Sequence, residues 1–327
     1  MSDEKKLKEI FDFNSDETKK LLQKAKVITL LRTVAVSLFV FLLLSIAIVI
    51  INTVVLNRIA MKKLTSEQNF DLVARPNIYM SQYQFNDGFL TGELEYVTHR
   101  IVGNRPVYNG TYKIKYSIIP IVPGIYGPSA RGQLIQVEDK GDYSHYNRVG
   151  NREMKFYHPY IEYKTYQNDL ALLEEIGEDK YLEMALSFDR DYSLEEVQAM
   201  LPDEVKPVWY WVNTYNEEDL NELKKGEIIL FANQVYGMKG VNSDGTIIKD
   251  PRLSFISAVN FGLKQKSRYH SQFQRLYQNL SNDKGEITKD NIRVIGVVVT
   301  GDTASMKLLR DKTYIKAATL GIVIDKF

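Results

Sequence analysis

Asp189 and Asp191 stand two apart in Phe188-Asp189-Arg190-Asp191, a spacing at which carboxylates can share a calcium or magnesium ion. The pair falls between a strand-like segment and a capped helix, where acidic side chains usually serve turns and caps, and that role is expected here. Asn242-Ser243-Asp244-Gly245 looks like half of a calcium loop, but the distal Glu of an EF-hand is missing, so a turn is expected. His99, His145, His158 and His270 show no metal-ligand spacing and are assigned surface or core roles. Thr300-Gly301-Asp302-Thr303 could turn N–H groups towards an anion at a helix start, a cap found in most α/β proteins. G-x-S-x-G, Walker A and G-x-G-x-x-G sequences are all absent. No catalytic residue, metal ligand or cofactor is therefore predicted, and the chain reads as a non-enzymatic protein.

What remains are residues suited to contact. The chain has 21 Tyr and 14 Phe, with a cluster at Phe156, Tyr157, Tyr160, Tyr163 and Tyr166. Such rings offer large contact area at low entropy cost, although burial between strands is the simpler role. Leu7, Ile10 and Phe11 follow i, i+3, i+4 spacing among Lys and Glu, a short amphipathic face that cannot bury itself alone. With Leu21 and Leu22 they form the candidate partner-binding set. Asn14 and Glu17 match an N-cap and its N3 partner, so a helix is predicted to start there.

The element that positions this handle is an uncharged run of 24 residues from Thr33 through Leu43 to Leu56. As a helix it reaches roughly 36 Å, enough to cross a hydrocarbon core of about 30 Å. It is too long for a cleaved signal peptide and no A-x-A-like site follows it, so it is read as an uncleaved anchor in the lipid bilayer. Lys19, Lys20, Lys24, Lys26 and Arg32 precede it, against Arg58, Lys62 and Lys63 after it. That bias places the N-terminus in the cytoplasm and the large C-terminal part outside. The predicted location is the cell membrane, with a single pass.

The chain divides into a cytoplasmic segment (1–32), the span (33–56), a stalk (57–68), a β module (69–140) and an α+β domain (141–327). Leu64 and the polar residues up to Gln68 suggest the stalk. Alternation in 78–85 and 111–118 predicts antiparallel strands, with turns at Asn86-Asp87-Gly88 and Gly103-Asn104-Arg105-Pro106 and a Pro/Gly-rich loop over 120–132. Strands are expected at 181–188, 207–215, 291–300 and 314–324. A capping-box helix should follow Ser193, and a second helix, capped by Asp302 or Thr303, should run to Arg310. A long helix over 253–280 is expected, with Phe255, Val259, Phe261, Leu263, Phe273, Leu276 and Tyr277 as core residues. Two strand–helix–strand units suggest an α+β sandwich of ferredoxin-like type.

A net charge of +1 without a basic run excludes direct nucleic-acid binding, and the absence of Cys removes disulfides, thiolate metal sites and cysteine nucleophiles. A membrane-tethered binding protein is left, with a domain outside and a helical handle inside. A second class of role is a cell-envelope structural or assembly protein, holding wall polymer or another membrane protein through its aromatic surface.

Particular blocks resemble a known family. Met184-Ala185-Leu186-Ser187-Phe188-Asp189-Arg190-Asp191-Tyr192, Val208-Trp209-Tyr210-Trp211, Gly296-Val297-Val298-Val299-Thr300-Gly301 and Ala317-Ala318-Thr319-Leu320-Gly321 are similar to the C-terminal domain of sigma factor regulators. Ser15-Asp16-Glu17-Thr18-Lys19-Lys20-Leu21, with Leu31-Arg32 ahead of the span, is similar to their N-terminal domain. The resemblance covers most of the chain and rests on packing patterns. It implies a membrane-bound anti-sigma factor of a Gram-positive bacterium that holds an extracytoplasmic-function sigma factor inactive through its cytoplasmic helix and responds to the state of the envelope.

Overall fold

The computed structural model describes residues 16–119, 125–126, 134–139 and 142–327. Asn14, Leu7, Ile10, Phe11 and most of the 120–132 loop lie outside these residues. The chain forms two compact units, Met1–Asn57 and Arg58–Phe327.

Helix α1 (Asp16–Asp71) accounts for the described part of the first unit and ends in the second. Its most apolar 18-residue window has a mean hydropathy of 3.2, and no protein buries it. It is long and apolar enough to cross a membrane. Three of its hydroxyls suit that setting, because Thr33, Ser45 and Thr53 each donate to the carbonyl one turn back.

Residues 57–68, expected as a stalk, continue helix α1. They are helical, and Ala60, Leu64, Ser66 and Glu67 are buried. One face of this helical stretch, carrying Ala60, Leu64 and Glu67, is covered, while Arg58, Lys62 and Gln68 stay exposed.

After α1 come β1 (Tyr79–Asp87), β2 (Thr91–Val102), β3 (Arg105–Ser117) and β4 (Ile125–Tyr126), an antiparallel sheet in chain order. Alternation gives it one covered face. Leu94 pairs with Ile114 and Tyr96 with Tyr112 across β2 and β3, and all four are buried. Gly103 has φ +61° at the first central position of the two-residue turn before β3, where a left-handed backbone favours Gly. In the β1–β2 turn the left-handed residue is Leu90, φ +62°, and not the Gly88 that the Asp-Gly pair suggested.

A small hairpin follows, β5 (Ile135–Asp139) and β6 (Asp142–Tyr146), and then β7 (Lys155–Phe156). The remaining elements are α2 (Leu173–Ile176), β8 (Lys180–Tyr192), α3 (Leu194–Met200), β9 (Lys206–Val212) and α4 (Glu217–Gly226). Then come β10 (Leu230–Phe231), β11 (Gly237–Lys239), α5 (Arg252–Lys264), α6 (His270–Leu280), β12 (Val294–Asp302), α7 (Thr303–Lys307) and β13 (Ile315–Asp325). β7 pairs with β10.

The central sheet has five antiparallel strands in the order β11-β9-β12-β8-β13. β8-α3-β9 and β12-α7-β13 are the two expected strand–helix–strand units, and their four strands follow the ferredoxin-like order, with β11 added outside β9. The architecture is α+β. Ser193 and Glu196 form the expected capping box of α3. Asp302 caps α7, which ends at Lys307, short of Arg310. The 253–280 helix is in fact two, α5 and α6. Of its predicted core, Phe255, Val259, Phe273 and Leu276 are buried, whereas Phe261 is exposed. Gly262 lets the helices close together, because a Cβ there would strike the Phe273 ring.

Alternation along the sheet fills two cores. Met184, Leu186, Phe188, Tyr210, Val297 and Val299 face the helices, meeting Val197, Phe255, Phe273 and Met306. Ala185, Trp209, Trp211 and Val298 face the other way, against Tyr79, Ile101, Phe156, Tyr157 and Tyr163. The 69–140 segment thus shares a core with the sheet, and everything from Arg58 onward is one compact unit. Most of the aromatic cluster is spent inside it.

Candidate functional site

The last turns of α1 are the place where the sequence departs furthest from ordinary packing. Ala60, Leu64, Glu67 and Asp71 make one buried stripe that turns from apolar to acidic. Pro76 cannot continue the helix, and the chain leaves it through two left-handed residues, Arg75 (φ +57°) and Asn77 (φ +50°). For Arg that conformation costs roughly 1–2 kcal/mol, so something must hold it.

Its charge does so. Arg75 donates to Asp71 at 2.6 Å and to Glu67 at 3.0 Å, and its guanidinium lies 4.9 Å from the centre of the Tyr112 ring. Glu67 also accepts from Arg268 at 2.7 Å, the Tyr269 hydroxyl at 2.8 Å and the Tyr96 hydroxyl at 3.0 Å. Phe70 stacks on Tyr269 with ring centres 3.7 Å apart. Burial would raise the Glu67 carboxyl, but Arg75 and Arg268 bring it below its ordinary value. Burial lifts the Asp71 carboxyl above its ordinary value despite Arg75. Removing one partner of such a knot leaves a buried charge unpaired, at a cost of about 3–5 kcal/mol.

Lys239, the last residue of β11, completes the exit. Its Nζ donates to the carbonyls of Arg75 at 2.9 Å and Ile78 at 2.7 Å and lies 4.7 Å from the centre of the Tyr79 ring. Burial pushes its ammonium down to about 7 against the pull of Asp71. A second buried group begins two residues after Arg75. Asn77 donates to Glu183 at 2.7 Å and to the Ile101 carbonyl, while the fully buried Arg100 bonds Glu153 at 2.9 Å and Glu183 at 3.1 Å. The helix exit is therefore fastened to β2, β8, β11 and the start of α6. This arrangement holds, positions and transmits; no nucleophile and base are brought together in it.

The residues singled out from sequence have different fates. Leu21 and Leu22 lie exposed on α1, at 67% and 44%; Leu43 and Thr33 are exposed on the same helix and Leu56 is buried. Leu7, Ile10 and Phe11 lie outside the described residues. Asp189 accepts from the Tyr192 hydroxyl at 2.7 Å, and Asp191 from Arg293 at 2.7 Å and the Tyr160 hydroxyl at 2.5 Å. Asp244 closes a turn on Thr246, and Asp302 accepts from the Ser305 N–H at 2.8 Å and from Lys326 at 3.0 Å. Among the described residues no group of three His, Cys, Asp or Glu could hold a metal ion. Of the aromatic cluster, Phe156, Tyr157 and Tyr163 are buried and Tyr160 is exposed. The exit network itself was missed from sequence. Its one local signal is the helical spacing of Glu67, Asp71 and Arg75 just ahead of Pro76.

No curated protein and no solved structure matches the chain. Two family models do. Residues 19–107 match the model described as sigma factor regulator N-terminal, and residues 173–322 the model described as sigma factor regulator C-terminal. The first match runs through α1 and its exit to the start of β3, and the second covers β8, β9 and β12 and most of β13. Glu67, Arg75, Asn77 and Arg100 thus belong to the N-terminal domain and Glu183, Lys239 and Arg268 to the C-terminal one, so the buried bonds of the exit join the two. With both domains present and more than half of its length matched, the chain belongs to the sigma factor regulator family.

Proposed function

We propose that this chain is a single-pass anti-sigma regulator. Its N-terminal segment lies in the cytoplasm and sequesters an extracytoplasmic-function sigma factor, and its C-terminal unit lies outside and adjusts that hold as the envelope changes. Membership of a regulatory family supports the sigma partner and a non-catalytic role. The observation that carries the reading is the buried network at the exit of α1. A charged knot joining both family domains at the end of the helix gives the state of the outer unit a direct purchase on that helix.

Leu21 and Leu22, exposed on α1, together with Leu7, Ile10 and Phe11, are proposed as the contact with the sigma factor. The alternative of wall-polymer binding through an aromatic surface loses ground, because Phe156, Tyr157 and Tyr163 are packed inside. The test is to purify the full chain from membranes with whatever it holds and to identify that partner. A sigma factor is expected. Recovery of none, with sigma-dependent transcription unchanged when the chain is overproduced, would refute the reading.

A further inference from the structure

Beside the helix exit lies a cleft of about 350 Å³, within the range of small-molecule sites. The end of α1 supplies Asp71, β1 supplies Tyr79, Ser81 and Tyr83, and Lys239 and Asn242 close the far side. Asp71 spends Oδ1 on Arg75, but its Oδ2 has no hydrogen-bond partner although the side chain is only 9% exposed. A buried carboxylate oxygen without a donor is costly, and a ligand that brings one is favoured. Lys239 commits two of its donors to the Arg75 and Ile78 carbonyls, which leaves a third when the amine is charged.

These two neighbours select the ligand chemistry. An ammonium would satisfy Asp71 but would sit against Lys239 and Arg75. A carboxylate or phosphate would satisfy Lys239 but would sit against Asp71 and Glu67. A hydroxyl donates to one and accepts from the other without adding charge. Ser81 and Asn242 extend the polar wall, and the exposed Tyr83 offers a ring that can lie against C–H faces.

We propose that this cleft binds a saccharide, a neutral polyhydroxylated ring whose hydroxyls bridge Asp71 and Lys239. The same chemistry is offered by a free sugar and by a residue of a glycan polymer. Because the cleft is walled by the end of α1 on one side and by β1 and Lys239 on the other, an occupant touches all three elements. The binding is separate from sigma capture and is read on this protein alone, so either reading can fail without the other.

The experiment uses the full chain in lipid nanodiscs, titrated with glucose, N-acetylglucosamine and maltose, and with glucosamine and glucuronate as charged counterparts. Retention on isolated peptidoglycan distinguishes the polymer source. Saturable binding of a neutral sugar or retention on the polymer is expected, with both charged sugars at least about tenfold weaker than the neutral ones. Asp71→Asn could disturb the knot, so the decisive variants are Ser81→Trp, which fills the cleft, and Tyr83→Ala, which removes an exposed wall. Each should weaken binding by about tenfold or more. The proposal is overturned if neither sugar nor polymer binds, if a charged sugar binds as well as a neutral one, or if Ser81→Trp binds like the wild type.

Discussion

Burial makes the Lys239 ammonium easier to deprotonate, and its titration should be visible in the stability of the whole unit. The folded chain holds this proton with a pKa of about 7, against 10.5 for an ordinary lysine. Below about 7 both folded and unfolded forms are protonated, and the contribution is constant. From there towards 10.5 only the unfolded chain keeps the proton, so stability should climb with pH by up to about 1.4 kcal/mol per unit. Thermal unfolding of the full chain across that window checks this, and Lys239→Met should flatten the climb. The acidic pairs of the sequence behave as local fasteners. Asp302→Ala and Asp189→Ala are each expected to cost about 0.5–2 kcal/mol, as lost caps and turns do. Calcium or magnesium should leave the melting temperature unchanged; a rise of many degrees that disappears in Asp189→Ala would establish a metal site instead.

Among the elements, those whose pattern is local were legible. β8 and β9 alternate, α3 announces itself through Ser193 and Glu196, and two strand–helix–strand units were enough to reach the ferredoxin-like order. What escaped depends on partners far along the chain. Glu67 read as part of a polar stalk because Arg268 and Tyr269, which neutralise and enclose it, are more than 200 residues away in sequence. The break between α5 and α6 has no Pro or Gly to mark it; Arg268 and Tyr269 leave helical geometry there and reach Glu67. The candidate handle was legible as a pattern, yet its decisive residues need a partner to bury them. If Leu7, Ile10 and Phe11 dock a sigma factor, changing all three to Ser should release it while the span still inserts, since each buried side chain contributes roughly 1.5–3 kcal/mol. Co-purification at the wild-type level from that variant would sink the docking assignment.

For the molecule as a whole, every regulatory reading depends on which side of the membrane each end occupies. The basic residues ahead of the span outnumber those after it, which favours a cytoplasmic N-terminus. A reporter that works only outside the cytoplasm should be silent when fused at Ser2 and active at Phe327. The opposite pattern would invert the proposed topology and move the sigma contact to the wrong compartment.

The unbroken run of α1 from Asp16 to Asp71 makes the protein sensitive to phase as well as to position. Each residue inserted into a helix turns what precedes it by about 100°, so the face carrying Leu21 and Leu22 has a fixed bearing relative to the residues after it. Alanines inserted between Lys24 and Ala25 should therefore act periodically. About two or five should turn the face away and uncouple a sigma-dependent reporter, whereas about four or seven should bring it back to within about 40° and restore control. A response that simply decays with the number inserted would mean that α1 acts as a tether, and that its twist carries no message.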